Sequence, residues 1–218
     1  MTQSAGTRRV ARTRGSILVA LLLLCMTGAA SAQTPDSVPD WAFTASAYTF
    51  LLPDAPTFVQ PTATADRGTL HLEARYNYEA IHAASVWAGY NLGAEGTLAL
   101  TFTPIIGGVV GSMTGVGLGY EGSLSWKRLE LYSESEYVID TDDASGSFFY
   151  NWSQLSYSPA AWVNFGLLMQ RTRTYDTDRD IQRGPFLGVT YKRLSLTTFV
   201  VNPDDASATV IIGLDMEF

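Results

Sequence analysis

The sequence has little of what soluble enzymes and helical membrane proteins are rich in. Its 218 residues include one cysteine, two histidines and 16% charged residues, whereas an average soluble domain carries about 25% charged residues. One cysteine excludes a disulfide framework. Outside the N-terminus no apolar run approaches the roughly 20 residues of a membrane-spanning helix, which excludes a bundle of transmembrane helices.

Basic charge is scarce as well. The net charge is −7, the pI is about 4.7, and no basic cluster occurs beyond residue 14, so we expect no nucleic-acid partner. The apolar content of 46% and the aromatic content of 12% exclude intrinsic disorder. These exclusions leave a single all-β domain, or a protein that is polar inside and apolar outside.

Residues 1–32 read as a cleaved secretory signal. The segment contains four arginines up to Arg14, the apolar run 17–24, and Ala30 and Ala32 at a small-residue cleavage site. Its removal leaves 10 basic and 21 acidic residues, a net charge of −11, and no cysteine. We expect 33–40 to be a short periplasmic segment and 41–218 to form the folded domain.

Apolar and polar residues alternate along the rest of the chain, which predicts β-strands with one apolar face. The clearest strands are 69–79, 116–127, 129–140 and the C-terminal stretch from 209. Weaker strands are predicted at 83–92, 96–106, 147–157, 161–174, 185–192 and 193–202. Adding 41–52 and 57–65 makes about 12 strands. The alternative is that 41–65 forms an N-terminal segment, which would reduce the number of strands to 10. Pro61 favours this alternative because proline has no N–H to donate to the hydrogen-bond ladder of a sheet.

The polar faces indicate which side of the sheet meets water. They consist mostly of Ser, Thr, Gly and Asn, which suits a crowded lumen better than a solvated surface. The apolar faces carry aromatic residues at their ends, as the girdles of transmembrane barrels do: Tyr76, Tyr78, Tyr90, Trp126, Tyr137, Tyr157, Tyr191 and Phe218. We therefore predict an all-β, transmembrane, antiparallel up-and-down β-barrel. The alternative is a soluble β-domain with these aromatic residues in its core.

The connections support the barrel, because short and long ones alternate. Tight turns are predicted at 126–128, 158–159 and 192–193, and longer acidic connections at 140–146, 176–184 and 202–205. Outer-membrane barrels have short periplasmic turns and longer extracellular loops.

Taken together, the signal, the alternating strands and the C-terminal stretch resemble bacterial outer-membrane β-barrel proteins as a class. Leu214, Met216 and Phe218 alternate up to a terminal aromatic residue, as in the assembly signal of that class. The resemblance implies an outer-membrane location. It also implies contacts with outer-membrane lipid and lipopolysaccharide, with periplasmic chaperones and with the barrel-assembly machinery.

A 12-stranded barrel is narrower than the aqueous porins, so its lumen could pass or bind only small solutes. The residues predicted to line it are Glu73, Arg75, Glu121, Glu130, Tyr132, Glu134, Glu136, Gln170, Lys192 and Asp215. The carboxylates of Glu130, Glu134 and Glu136 fall on one strand face and require cations nearby. They form either a selectivity-setting wall or a salt-bridge network that plugs a structural barrel.

Two arginines could supply that charge. Strand parity places Arg171 and Arg173 on the lipid side near the outer rim, where they could bind lipopolysaccharide phosphates. A bulge at 167–168 would turn them into the lumen instead. Both orientations remain open from the sequence.

The sequence favours a protein that is not an enzyme. His71 is predicted to face the lumen beside Glu73, which leaves a hydrolase or acyltransferase as the weakest alternative. The acidic sets 140–143 and 176–180 lack the turn glycine and the final glutamate of a calcium loop. We expect these loops to bridge to lipopolysaccharide through divalent ions, and we expect no specific metal site and no cofactor.

Overall fold

A computed structural model describes residues 40–53, 55–174, 180–205 and 208–218, with the backbone alone at 173, 174 and 180. The signal 1–32 and nearly all of 33–40 lie outside the described residues. The strands are β1 (Ala42–Leu51), β2 (Phe58–Arg67), β3 (Leu70–Tyr76), β4 (Ala83–Tyr90), β5 (Leu92–Ala94), β6 (Leu98–Gly111), β7 (Gly115–Trp126), β8 (Leu129–Asp140), β9 (Phe148–Ala160), β10 (Val163–Thr174), β11 (Asp180–Tyr191), β12 (Leu194–Val201) and β13 (Thr209–Glu217).

These strands close into one antiparallel barrel. Consecutive strands pair around the wall, β1 pairs with β13, and β4 pairs with β6. The short β5 continues β4 in the same register, because Gly89 lies opposite Ile105 and Leu92 lies opposite Phe102. The wall therefore has twelve strands, as predicted, and every strand has a neighbour on both sides, which a bilayer demands of a β-structure.

The strand with a proline forms despite its weak sequence signal. Pro61 lies opposite Ala47 of β1, and the ladder between β2 and β3 begins one residue later, at Thr62. Pro61 thus has a ladder on one side only, the edge-like position that proline tolerates. The twelve-strand prediction is confirmed over the ten-strand alternative.

The two ends of the barrel differ. Five connections of two or three residues (68–69, 95–97, 127–128, 161–162 and 192–193) lie at one end, the turn end. Both ends of the described chain lie there too, where the Phe218 N–H donates to the Phe43 carbonyl at 3.0 Å. The loop end has the other connections, of which the structure describes 77–82, 112–114 and 141–147 in full. The turn predicted at 158–159 is at 161–162, because the Ser158 N–H still donates to the carbonyl of Arg128, in the turn just before β8.

The outer surface of the barrel is apolar. Leu118, Leu167 and Val86 are each more than 60% exposed there, and no helix in the described part of the chain is long and apolar enough to cross a bilayer. Exposed aromatic side chains follow the turn end (Trp41, Tyr90, Trp126, Tyr191 and Phe218), and Tyr76 and Tyr137 lie towards the loop end. This band flanked by aromatic residues is the outer surface of a transmembrane barrel.

One inward side chain sets a packing constraint on three neighbouring strands. Trp87 is 2% exposed, lies opposite Gly107, and Gly107 lies opposite Gly117 on the next strand. A Cβ added at either glycine would collide with the indole ring. The ring therefore lies across two positions that only glycine leaves open.

We predict that Gly117→Ala lowers the free energy of unfolding by about 1–3 kcal/mol, because an added methyl group overpacks the site. The matched control is Gly108→Ala, whose added Cβ would meet only the Gly115 carbonyl oxygen at 3.9 Å. Urea unfolding of the refolded barrel in detergent, followed by tryptophan fluorescence, measures both. Equal losses in the two variants would contradict this account of Trp87.

Candidate functional site

The charges inside the barrel converge on one arginine. Arg75 of β3 is 5% exposed; its Nη2 lies 2.6 Å from Glu73 Oε2 and 3.4 Å from Glu121 Oε1. Its Nη1 lies 2.8 Å from Glu136 Oε2 and 3.8 Å from Glu79 Oε1. We call Arg75 and these four glutamates the Arg75 cluster. It has one positive group for four carboxylates, and it joins β3 to β7 and β8 across the lumen.

Tyrosines supply hydrogen bonds where cations are missing. The hydroxyls of Tyr78 and Tyr132 both donate to Glu134, the second at 2.7 Å. The ring of Tyr78 also lies 4.3 Å from the guanidinium carbon of Arg75, a favourable cation–π distance. Glu134 is thus held by two neutral donors.

Sequence parity missed Tyr78 as a lumen residue, whereas Glu79 falls on the polar face of its strand but is not among the predicted lining residues. Tyr78 was predicted on the lipid face, but β3 ends at Tyr76 and Asn77 adopts a left-handed conformation with φ 58°. The chain then folds into the barrel, where Glu79 accepts a hydrogen bond from Ser85 at 2.7 Å. The one available signal was Asn77, since asparagine adopts this conformation more readily than other non-glycine residues.

A cavity of about 340 Å³ lies beside the Arg75 cluster. Five carboxylates line it, together with Ser, Thr, Tyr and Gln side chains, and the described residues of its lining include no lysine or arginine. The five are Glu73, Glu121, Glu130, Glu134 and Asp215. The cavity is acidic, and its nearest positive group is Arg75.

Apolar side chains fill the barrel towards the loop end. One cluster packs against the wall from β9 to β13 and β1, and a second against β4, β6 and β8. Phe50 and Trp152 belong both to the first cluster and to the cavity lining, so aromatic rings close the cavity on that side. The buried members are Phe50, Trp152, Leu168, Phe186, Phe199, Val201 and Ile211 in the first cluster, and Ala83, Trp87, Ile105, Val109, Met113 and Val138 in the second.

The structure places nine of the ten predicted lumen residues inside the barrel. Six line the cavity, namely Glu73, Glu121, Glu130, Tyr132, Glu134 and Asp215, and Arg75 and Glu136 lie beside it. Gln170 lies opposite Trp152 and shares its lumen face. Lys192 does not face the lumen: it lies in the turn after β11, with φ 58°, and its Nζ is 5.4 Å from the Tyr191 ring.

Arg171 lies on the outer face, and no bulge occurs at 167–168. The register between β9 and β10 is continuous from Phe165 to Thr174. Because side chains alternate along β10, Arg171 shares the outer face of the exposed Leu167 and Met169. Its guanidinium carbon is 5.6 Å from the Phe149 ring. It therefore cannot neutralise the lumen glutamates. The side chain of Arg173 lies outside the described residues.

The acidic loop between β8 and β9 uses its carboxylates as turn caps. Asp140 Oδ1 accepts from the N–H groups of Asp142 and Asp143 at 2.9 and 3.0 Å. Asp143 Oδ1 accepts from the Ser145 N–H and hydroxyl, which lowers the pKa of Asp143 below its usual value. These bonds explain the acidic spacing without a metal. Most of the second acidic set lies in 175–179, outside the described residues.

His71 lies near the turn end of the lumen. Its Nδ1 is 2.8 Å from Asp66 Oδ1, and its Nε2 is 3.9 Å from Glu73 Oε2. The residue is 5% exposed. Predicted as a lumen residue beside Glu73, it is therefore part of a buried polar row.

Comparisons with known proteins identify the fold. No protein-family model matches the chain, and no curated protein matches it either. A solved structure of the KdgM porin is similar with a TM-score of 0.55 and 10% identity, over 80% of this chain and 99% of that one. KdgM in complex with disordered oligogalacturonate is similar to the same extent. Acinetobacter baumannii Omp33 covers 84% of this chain at a TM-score of 0.42, 8% identity and 100% of its own length.

The likeness to KdgM shows that the chain has the fold of an outer-membrane porin. The outer apolar band with its aromatic flanks is what this fold presents to lipid. Fold and surface together assign the chain to the bacterial outer membrane as a transmembrane β-barrel.

We predict that Arg75→Met lowers the free energy of unfolding by about 3–5 kcal/mol, because it leaves buried carboxylates without their cation. Adding Glu136→Gln should restore part of the loss. The control is Arg183→Met, which removes an ion pair with Asp204 whose two side chains are 70% and 65% exposed, and it should cost less than about 1 kcal/mol. Urea unfolding measures all three, and a loss for Arg75→Met no larger than the control's would contradict the central role of this cluster.

Proposed function

We propose that this outer-membrane barrel binds small cationic solutes in its lumen and conducts them through a narrow path. The observation that carries the proposal is the cavity of about 340 Å³, which five carboxylates line without a lysine or arginine. A cationic solute that enters this cavity exchanges its water of hydration for the fixed negative charge of the carboxylates. The proposal involves no catalytic step.

The negative charge of the lumen carboxylates and their position in a narrow cavity support a preference for cations. Rings of carboxylates select cations in narrow pores, and low-dielectric walls focus the field of like charges into a cleft. Arg75 offsets only part of this field, because four glutamates lie within 4 Å of its guanidinium nitrogens. Glu130, Glu134 and Asp215 have no ion pair among the described residues.

The same sign argues against a polyanionic solute. One of the similar structures is the KdgM porin in complex with oligogalacturonate, a ligand with one carboxylate on each sugar unit. This lumen would repel such a chain. We therefore propose that the two barrels share a fold but differ in the charge of the solute.

A second candidate is a structural barrel with a closed lumen. It is favoured by the apolar clusters at the loop end, which pack Phe50, Trp152, Phe186 and Phe199 against one another inside the wall. If they stay packed, the acidic cavity is reached from the turn end only. The barrel would then bind cations without passing them.

The location in the outer membrane also suggests partners for this barrel. Leu214 and Met216 are exposed on the outer face of β13, and the exposed Phe218 follows directly after it. We propose that these three residues form the signal that the barrel-assembly machinery reads after periplasmic chaperones deliver the chain. Arg171, on the outer face towards the loop end, is our candidate for a contact with lipopolysaccharide phosphate.

We predict that the refolded protein in a planar bilayer conducts and prefers K⁺ over Cl⁻. Each carboxylate contributes about 1 kcal/mol to cation binding, or about fivefold, so Glu130→Gln with Asp215→Asn should lower the permeability ratio at least about fivefold. The control is Glu95→Gln with Asp205→Asn, which removes the same charge from exposed connections. Reversal potentials in a KCl gradient measure the ratio.

Two results would count against conduction of cations. An equal shift in both double variants would mean that the cavity carboxylates do not set selectivity. No channel activity in a protein that shows heat-modifiable migration would overturn the channel and support the closed barrel.

A further inference from the structure

We infer that the lumen contains a binding site for a divalent transition-metal ion, with His71, Glu73 and Glu121 as its ligands. One ligand atom from each residue lies within 4.8 Å of the others. His71 and Glu73 come from adjacent inward positions of β3, and Glu121 comes from β7 across the lumen. Three ligands around one point suit a metal that keeps its remaining positions for water.

The imidazole is held in the orientation that a metal ligand requires. Asp66 Oδ1 lies 2.8 Å from His71 Nδ1, so a neutral ring that donates its Nδ1 proton there has a lone pair on Nε2 to offer a metal. Asp66 in turn accepts from Asn91 Nδ2 at 2.7 Å, and Asn91 accepts from the Thr103 hydroxyl at 2.8 Å. A carboxylate behind the histidine is the usual outer partner of a metal-bound imidazole.

The free nitrogen points at the other two ligands. His71 Nε2 is buried, makes no hydrogen bond within the described part of the chain, and lies 3.9 Å from Glu73 Oε2. A buried polar atom without a partner normally costs about 1–3 kcal/mol. A metal ion between Nε2 and the two carboxylates would satisfy it.

The charge around the site calls for a cation. Asp66, which contacts His71, is a fifth carboxylate beside the Arg75 cluster, and the ion pairs of the four cluster glutamates with a guanidinium, as far as the structure describes the chain, all involve Arg75. Arg75 contacts Glu73 Oε2, the oxygen that also faces His71 Nε2, and Glu121 Oε1, and each carboxylate has further lone pairs for a metal. A divalent ion would offset charge that Arg75 leaves unbalanced.

The donor set points to a class of metal. One imidazole with two carboxylates is typical of Zn²⁺ and its first-row neighbours, whereas Ca²⁺ and Mg²⁺ take oxygen ligands alone. The rival interpretation is a protonated His71 that makes an ion pair with Glu73. It predicts no metal affinity.

The test uses the full barrel, refolded in detergent and stripped of metal with a chelator. Titration calorimetry with Zn²⁺ should show one site per chain, and Co²⁺ should give a visible d–d spectrum that Zn²⁺ abolishes. Asp66→Asn keeps an acceptor for Nδ1 but removes the charge behind the imidazole, so we expect an affinity loss of about 10–100-fold. His71→Gln should abolish the Co²⁺ spectrum.

The matched control is His82→Gln. His82 is the other histidine of the chain, lies in the connection after β3 and is exposed, so its replacement should leave Zn²⁺ affinity unchanged. Heat-modifiable migration confirms that each variant is folded. Absence of Zn²⁺ binding to the folded wild-type barrel, or equal affinities for His71→Gln and His82→Gln, would overturn the inference.

The metal site does not depend on conduction. A barrel that binds Zn²⁺ but carries no current supports the site and overturns the proposed channel. Cation-selective current without Zn²⁺ affinity supports the proposed channel and overturns the metal site.

Discussion

The closed ring of twelve strands is the constraint on which the rest of this structure depends. A bilayer offers no partner to free backbone groups, so the sheet must close on itself, as it does where the first strand, β1, pairs with the last, β13. Closure at this size leaves a lumen that side chains from opposite walls can bridge. Arg75 can therefore contact Glu136 at 2.8 Å although β8 is the fourth strand along the wall from β3.

Alternation within a strand predicted the wall and its faces well. The row from His71 to Arg75 faces inward at every second residue, as expected, and the strand around Pro61 was found by counting strands. The prediction failed where the two-residue alternation was extended beyond the end of a strand. Tyr78 and Lys192 both sit at or just after a residue with positive φ, where the chain reverses and the two-residue period no longer applies.

The clustering of charges could be predicted only in part. Parity identifies the face of a residue but not its height relative to a strand on the opposite wall, which depends on strand tilt and stagger. The need for cations beside Glu134 and Glu136 was foreseen, yet Arg171 faces lipid and Glu134 is held by tyrosine hydroxyls. The alternation places Tyr132 in the lumen but does not reveal that its hydroxyl takes the place of a cation beside Glu134.

The filling of the two halves of the lumen links stability to function. Apolar clusters towards the loop end exclude water, and a charge interaction grows stronger as the surrounding dielectric falls. The carboxylates next to Phe50 and Trp152 are therefore held in a setting where an uncompensated charge is costly. Arg75 meets part of that demand from within the chain. The remainder must come from hydrogen-bond donors such as Tyr78, or from cations that enter the cavity as we propose. On that proposal, the residues that stabilise this barrel are also those that select what it binds.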